Sequence, residues 1–186
     1  RTEFIEDDEL RRRFIADISE MEAMIVSTLS YLRDERAGEH SEVVDLAALV
    51  ETICDGFADA GRPVAYEGPG RLPFRCRAIA LKRSFTNLVD NGLKYGRRVS
   101  VGLTILEGVV VVTIDDEGPG IPQAEWERVF APFYRLEDSR NKETGGFGLG
   151  MAVARTTIRA HGGDIALGDR PGGGLRVTVT LPLVRG

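Results

Sequence analysis

The sequence Asn-Leu-Val-Asp-Asn-Gly-Leu-Lys-Tyr, residues 87–95, decides most of what this chain can be. Leu81, Phe85 and Leu88 form an apolar pattern of helical spacing that runs into this stretch, so we predict a helix over 78–95. The two asparagines of the quoted stretch stand four residues apart and therefore share one face of that helix. Asparagine is a poor helix former, and its presence here indicates that the side chains have a task.

Two more segments follow at short distances. Asp-Asp-Glu-Gly-Pro-Gly, residues 115–120, ends a strongly apolar predicted strand, where an unpaired carboxylate would be costly. Gly-Gly-Phe-Gly-Leu-Gly, residues 145–150, opens another predicted helix, and the amides at a helix N-terminus form a phosphate site. Each glycine-rich string is weak evidence alone. Their order and spacing carry the information.

In this order the three segments resemble the N, G1 and G2 boxes of the ATP-binding domain of two-component sensor histidine kinases, closest to the EnvZ osmosensor class. That domain belongs to the GHKL superfamily, with type-two topoisomerases and MutL. The resemblance implies an α+β protein, a two-layer α/β sandwich of the Bergerat type preceded by a long bundle-forming helix. It predicts part of a dimerization and histidine-phosphotransfer domain in 1–37, a linker in 38–42 and a catalytic ATP-binding domain in 43–186.

The resemblance also implies roles for single residues towards ATP and Mg²⁺. Asn91 would bind Mg²⁺, Asn87 would lie on the phosphate side, and Lys94 would neutralise phosphate charge. Tyr95 would pack beside the nucleotide. Asp116 would accept a hydrogen bond from the exocyclic amine of adenine, which selects adenine over guanine. The other predicted nucleotide contacts belong to the glycine-rich segments: Gly118, Gly120, Gly146, Gly148, Leu149 and Gly150.

A further segment, Val-Phe-Ala-Pro-Phe-Tyr-Arg at residues 129–135, resembles the F box that precedes the ATP lid. Phe130 and Phe133 would anchor the base of the lid, although both are equally well explained as core aromatics. Arg135 is a candidate contact to the γ-phosphate, and completes a predicted catalytic set with Asn87 and Lys94. The stretch 131–147 is rich in glycine, serine and charge, has no apolar period and is predicted to be a mobile loop.

The remaining pattern alternates short strands with helices. The chain is predicted to form strands at 43–44, 63–66, 74–77, 99–106, 109–115, 165–167 and 175–181, with further helices at 46–57 and 148–161. At the N-terminus, apolar residues from Leu10 to Leu32 recur every three or four positions, as in a bundle or coiled-coil seam. We expect this seam to form a homodimer rather than to pack on its own domain.

Composition narrows the possible functions. With 42% hydrophobic and 28% charged residues among 186, the chain has the composition of an ordinary globular protein. Its net charge of -5 disfavours nucleic-acid binding. No apolar run approaches the roughly 18 residues of a spanning helix, so any membrane segment is expected outside this chain. We expect a cytoplasmic domain of an inner-membrane bacterial sensor, with Cys54 and Cys76 as buried free thiols.

Two departures from the family pattern matter. Leu175 stands where many members carry threonine. The phosphoacceptor H box is expected before the first residue of this chain, and neither histidine replaces it: His40 lies in the linker and His161 ends a helix. The chain therefore resembles a kinase fragment that transfers the γ-phosphate of ATP to a histidine elsewhere, on the phosphotransfer domain of the same protein, for relay to a response regulator.

Two alternatives remain. A GHKL ATPase would carry a glutamate one helical turn before the Mg²⁺-binding asparagine to activate water, and this chain has Asn87, which cannot take a proton. A nucleotide-binding module without transfer would bind ATP but phosphorylate nothing. Anti-sigma serine kinases share the motifs but usually lack the bundle helix that 10–32 predicts.

Overall fold

The computed structural model describes Arg11, residues 39–136 and residues 147–183. The chain divides into two compact units, Arg1–Ala37 and Gly38–Gly186. The predicted bundle helix at 10–32, with its homodimer seam, lies outside the described residues. So does most of the predicted loop, including Gly146.

The described part of the chain forms three α-helices, seven strands and two short 3-10 turns. The helices are α1 (Leu46–Asp59), α2 (Ala78–Tyr95) and α3 (Gly150–Ala160). The strands are β1 (Glu42–Asp45), β2 (Val64–Glu67), β3 (Pro73–Cys76), β4 (Val99–Leu106), β5 (Val109–Asp116), β6 (Asp164–Asp169) and β7 (Leu175–Pro182). The 3-10 turns are Gln123–Glu125 and Arg128–Phe130.

Within the described residues, the main sheet has the order β2-β4-β5-β7-β6, and a separate two-stranded sheet joins β1 to β3. The β2–β4 pair is parallel and the other pairs are antiparallel. Burial alternates strictly along β5 and β7, so every second side chain faces the core under the helices. This mixed sheet packed against helices confirms the predicted two-layer α/β sandwich.

Helix α2 is the central element, because it packs on α1, on α3 and on β4 and β5, two of the interior strands of the sheet. Its buried face contains Leu81, Phe85 and Leu88, each at most 1% exposed. The helix ends where Gly96 takes an extended conformation. A Cβ at Gly96 would lie 2.8 Å from the Cβ of Asp116, so a glycine there lets the end of α2 approach strand β5.

The first turn of α2 is capped from outside the helix. The carboxylate of Glu39 accepts hydrogen bonds from the backbone N–H groups of Ile79 at 2.7 Å and Ala80 at 3.2 Å. The Nε2 of His161, which follows α3, accepts from the N–H of Arg77 at 3.1 Å. These bonds satisfy donors that the first turn of a helix leaves without partners.

The predicted elements agree closely with the observed ones, and the differences have local causes. Helix α3 begins at Gly150 rather than 148, because Gly148 has a φ of 70° and cannot be part of a helix. Cys54 and Cys76 are buried free thiols as expected, and burial raises the pKa of each to about 11. Among the described residues, no helix combines the length and apolar character needed to cross a bilayer.

Candidate nucleotide site

One polar stripe runs along the exposed side of α2. Asn87, Asp90, Asn91 and Lys94 are spaced i, i+3, i+4 and i+7, so their side chains lie on one face. Gly150, the first residue of α3, lies against this stripe: a Cβ there would be 3.5 Å from the Nδ2 of Asn91 and 3.7 Å from the Cβ of Asn87. The fold thus places the two asparagines beside the N-terminus of α3.

The segment that leads into α3 is tightly packed. Leu149 is 2% exposed and precedes the helix. The carbonyl of Gly148 accepts a hydrogen bond from the N–H of Phe133 at 3.0 Å. A Cβ at Gly148 would lie 2.6 Å from the carbonyl oxygen of Tyr134. The described part of the F-box segment therefore packs directly on the residues that open α3.

Lys94 is held by an ion pair rather than pointing freely into solvent. Its Nζ lies 2.7 Å from the Oδ2 of Asp90, and the Nη1 of Arg62 lies 2.7 Å from the Oδ1 of the same carboxylate. Burial alone would raise the pKa of Asp90, but hydrogen bonds from Lys94 and Arg62 outweigh it and hold the pKa below its ordinary value. Asp90 is therefore ionised and shared between two cations.

At the end of β5, two successive aspartates face opposite sides of the sheet. Asp115 pairs with Arg176 on β7 through two hydrogen bonds of 2.7 and 2.6 Å. Asp116 is 5% exposed on the helix side, and its Oδ1 accepts from the N–H groups of Gly118 at 2.7 Å and Leu175 at 3.4 Å. Asp115 is thus structural, while Asp116 is a buried carboxylate without a charged hydrogen-bond donor among these contacts.

Burial raises the pKa of Asp116 above its ordinary value. The hydrogen bonds from Gly118 and Leu175 and the charge of Arg170 act in the opposite direction but do not cancel the effect of burial. Arg170 lies near because its guanidinium pairs with Glu117 at 3.3 Å. Because Asp116 is buried, we expect an additional hydrogen-bond donor to change its pKa more than it would change the pKa of an exposed aspartate.

Backbone packs directly against this carboxylate. A Cβ at Gly118 would lie 2.7 Å from the carbonyl oxygen of Tyr95, and one at Gly92 would lie 3.6 Å from the Cβ of Asp116. A Cβ at Gly174, in the turn between β6 and β7, would overlap the carbonyl oxygen of Asp116. Gly120 lies beside this turn, with its Cβ position 3.5 Å from the carbonyl oxygen of Gly174. Close approach therefore requires glycine at Gly118 and at Gly174.

The structure thus brings together two groups of predicted site residues at successive turns of α2. Asn87, Asn91 and Gly150 form one group, while Asp116 and Gly118 lie with the backbone of Tyr95 in the other. The remaining predicted residues lie at the edges. The side chain of Tyr95 is 40% exposed. Arg135 is half-buried, and its contact to the γ-phosphate stays a prediction.

The two F-box phenylalanines differ. Phe130 is 8% exposed and packs in the core, with the guanidinium of Arg155 4.3 Å from its ring centroid. Phe133 is 54% exposed and has a φ of 64°, an unusual conformation for a residue with a side chain. Phe130 therefore anchors this segment. Phe133 lies outside the core.

Three features of the structure were missed from the sequence. The pair between Asp90 and Lys94 could have been found, because opposite charges four residues apart on a helix interact. Arg62 could not, since it precedes Asp90 by 28 positions and no local pattern links them. The cluster of Arg155 with Glu127 and Asp164, which ties α3 to β6 and to the turn just before the F-box segment, was also missed for this reason.

Comparison with known proteins agrees with this geometry. The profile of the histidine kinase-, DNA gyrase B- and HSP90-like ATPases matches residues 76–185, which contain α2, the turn after β5 and the start of α3. The chain belongs to this family. The resemblance inferred from the three sequence segments is thereby confirmed, and the fold is that of a nucleotide-binding domain.

Within the family, the similar proteins are sensor histidine kinases. The sensor histidine kinase GtrS of Pseudomonas aeruginosa is 37% identical over 182 residues, which are 98% of this chain and 37% of that protein. Among solved structures, the mycobacterial sensor histidine kinase MprB has a TM-score of 0.66 and 26% identity, covering 76% of this chain and 97% of that one. The histidine kinase domain of the Escherichia coli osmosensor EnvZ has a TM-score of 0.60 and 26% identity, covering 78% and 90%. The chain thus spans little more than a third of the length of GtrS.

Proposed function

We propose that this chain is the ATP-binding catalytic part of a sensor histidine kinase, which transfers the γ-phosphate of ATP to a histidine on a phosphotransfer domain. The observation that carries the proposal is the arrangement around α2. This helix carries Asn87 and Asn91 next to the N-terminus of α3, and its C-terminal end packs against the buried carboxylate residue Asp116 of β5. These groups are the ones needed for an adenine ring at one end and metal-bound phosphates at the other.

Adenine recognition rests on Asp116. Its Oδ1 accepts two backbone hydrogen bonds, which hold the carboxylate in place, and Oδ2 is the proposed acceptor for a ligand. The exocyclic amine of adenine would donate to that oxygen. Guanine presents a carbonyl at the same place, and two acceptors facing each other in a buried site would repel. ATP is therefore expected to bind far more tightly than GTP.

Mg²⁺ is expected to enter with the nucleotide. Among the described residues, no group of three histidine, cysteine or acidic side chains could hold a metal ion. The amide oxygen of Asn91 is a hard, neutral ligand of the kind that Mg²⁺ accepts, and Mg²⁺ takes most of its remaining ligands from phosphate and water. The donor set thus fits a metal bound jointly by Asn91 and the phosphates of ATP, where it would neutralise negative charge during transfer.

Transfer to a protein is favoured over hydrolysis by the chemistry of the polar stripe. Asn87 occupies the place of a general base and cannot accept a proton. Asp90 is the nearest carboxylate in the stripe, but its lowered pKa and its two cationic partners make it a weak base. His161 is not available as an acceptor, since its Nδ1 bonds the carbonyl of Thr157 and its Nε2 accepts from Arg77.

The wider setting follows from the same proposal. The donor chain would act on the phosphotransfer domain of the same protein, and the phosphate would pass to a response regulator. Dimerization through 10–32 would bring donor and acceptor together. The domain would work on the cytoplasmic side of a membrane sensor whose spanning segments lie outside this sequence.

The test is a transfer assay with radiolabelled ATP, Mg²⁺, this chain and a separately produced phosphotransfer domain that carries the family's H-box histidine. Acid-labile label is expected on the added domain and not on this chain alone. Asn91→Ala and Asp116→Asn should each lower the transfer rate by at least about tenfold, which is roughly 1.4 kcal/mol. Asp115→Asn is the matched control, because Asp115 pairs with Arg176 on the opposite face of the sheet.

The outcomes separate the alternatives. Steady release of inorganic phosphate without labelled protein would replace the kinase by the ATPase. Tight ATP binding with neither label nor phosphate release would leave a binding module. Equal affinity for ATP and GTP would overturn the assignment of Asp116 to adenine.

A further inference from the structure

The ion-paired cluster of Arg62, Asp90 and Lys94 is built asymmetrically. Arg62 comes from the loop after α1, where its N–H bonds the carbonyl of Phe57 at 3.0 Å and its guanidinium lies 5.1 Å from the ring centroid of Phe57. Both the backbone and the guanidinium of Arg62 are thus held by contacts with Phe57. Lys94 shares α2 with Asp90 and reaches it across one helical turn with a flexible side chain.

The three side chains are partly screened from water. The exposed fractions are 34% for Arg62, 28% for Asp90 and 33% for Lys94. Each oxygen of Asp90 has its own cation at 2.7 Å, so the carboxylate does not depend on Lys94 alone. If Lys94 moves away, Asp90 keeps its bond to Arg62 and no unpaired charge is left half-buried.

We propose that Asp90 and Arg62 are positioning residues that set how readily Lys94 can be transferred to the phosphates of the nucleotide. Asp90 retains Lys94 when no polyphosphate is present, and Arg62 keeps Asp90 paired once Lys94 leaves. The proposal rests on the proposed function only in taking a nucleotide polyphosphate as the ligand that competes for Lys94.

This arrangement predicts effects of opposite sign from two members of one cluster. In Arg62→Gln, Lys94 becomes the single cation on Asp90 and is held more firmly, so polyphosphate binding weakens. In Asp90→Asn, Lys94 is released and binding strengthens. Partly exposed ion pairs are weak, so each change in dissociation constant should be about two- to fivefold. Arg62→Lys keeps the positive charge and should recover most of the affinity.

The experiment measures dissociation constants of the Mg²⁺ complex of AMPPNP, and of adenosine, by calorimetry on the whole chain. Loss of one positive charge near the site could also weaken polyphosphate binding at long range. The double variant distinguishes this effect from an action of Arg62 through Asp90. If Arg62 acts only through Asp90, Arg62→Gln/Asp90→Asn binds AMPPNP like Asp90→Asn. If only long-range charge matters, the two effects cancel. Arg71→Gln, which removes the same charge from a side chain 80% exposed, is the matched control.

A Lys94→Met background completes the test. There, Arg62→Gln and Asp90→Asn should no longer change AMPPNP affinity, and in no background should they change adenosine affinity. Cancelling effects in the double variant, or effects that persist with Met at position 94, would overturn the inference while leaving the proposed function intact. Failure of the unaltered chain to bind AMPPNP at all would instead overturn the proposed function.

Discussion

The two ends of the candidate site differ in how they are built. The end at Asp116 is buried and made largely of backbone, with Gly96, Gly118 and Gly174 pressed against the carboxylate residue. The end at Asn91 is made of partly exposed side chains, beside a lysine held in an exchangeable ion pair. A flat, uncharged ring can be recognised only by shape and a few fixed hydrogen bonds. Phosphates and a metal bring their own charge, so their end can be looser.

The largest expected effect is at the rigid end. In Gly174→Ala, the new methyl group would overlap the carbonyl of Asp116, and the residue has a φ of 103°. We expect a loss of about 2–4 kcal/mol in the free energy of unfolding, and AMPPNP affinity lowered by more than about tenfold. Urea denaturation and calorimetry measure the two quantities.

A neighbouring glycine provides the control. Gly172 has a φ of 92°, but a Cβ there would meet nothing within 4 Å. Gly172→Ala should therefore show the backbone strain alone, about 1–2 kcal/mol, with AMPPNP affinity unchanged. Equal effects from the two variants would show that the close approach of the turn to Asp116 has no part in shaping the site.

A smaller effect is expected at the looser end, and it should depend on the metal. If Asn91 binds the metal as proposed, Asn91→Ala removes an oxygen ligand without disturbing the core, so AMPPNP affinity should fall by about tenfold with Mg²⁺ and hardly at all with a chelator. Calorimetry in both buffers measures this. Thr86→Ala, on an exposed part of the same helix, should leave both affinities unchanged. A similar loss with and without Mg²⁺ would contradict the metal assignment.

The smallest effect is expected away from both ends, at Asp164. A hydrogen bond from Arg159 is the main cause that lowers the pKa of Asp164 to about 2 from the ordinary 3.8. Because the folded-state pKa is depressed, the stabilisation is present above pH 3.8 and declines as the pH falls towards 2. Its side chain is 52% exposed, so Asp164→Asn should cost less than about 1 kcal/mol at pH 7.

Denaturation at several pH values tests this. The difference between Asp164→Asn and the unaltered chain should shrink as the pH is lowered from 5 towards 3, and also on adding salt. AMPPNP affinity should not change in the variant. A difference that grows as the pH falls would contradict the assigned direction of the pKa shift.

Sequence patterns predicted elements well where the information is local. The bounds of α2 follow from its apolar spacing and from Gly96, and the hairpin of β4 and β5 follows from the alternation along β4, the apolar run of β5 and the turn at Glu107 and Gly108. The pleat of β5 separates Asp115 from Asp116, because successive side chains of a strand face opposite sides. For α3, the start was misplaced by two residues, since a glycine string does not reveal which member has a positive φ.

The rest depends on contacts between distant segments. The close approach of Gly174 to the backbone of Asp116 joins residues 58 positions apart, and nothing in the sequence Pro-Gly-Gly-Gly indicates it. Arg62 reaches Asp90 only because the loop after α1 ends beside α2. The positions of Asn91 and Asp116 could be predicted because their neighbours form recognisable motifs, while the roles assigned to the two side chains stay predictions. The residues that position them could not be predicted.

The cap supplied by Glu39 bears on how sensor modules can be exchanged by recombination. A chimera joined just before β1, at residue 42, would discard Glu39 and leave two amide groups at the start of α2 without their acceptor. The free energy of unfolding would decrease by about 1 kcal/mol, and the destabilised element would be the helix that carries Asn87 and Asn91. A junction placed before Glu39 keeps the cap of α2 intact, so the unit suited to exchange begins ahead of its first strand.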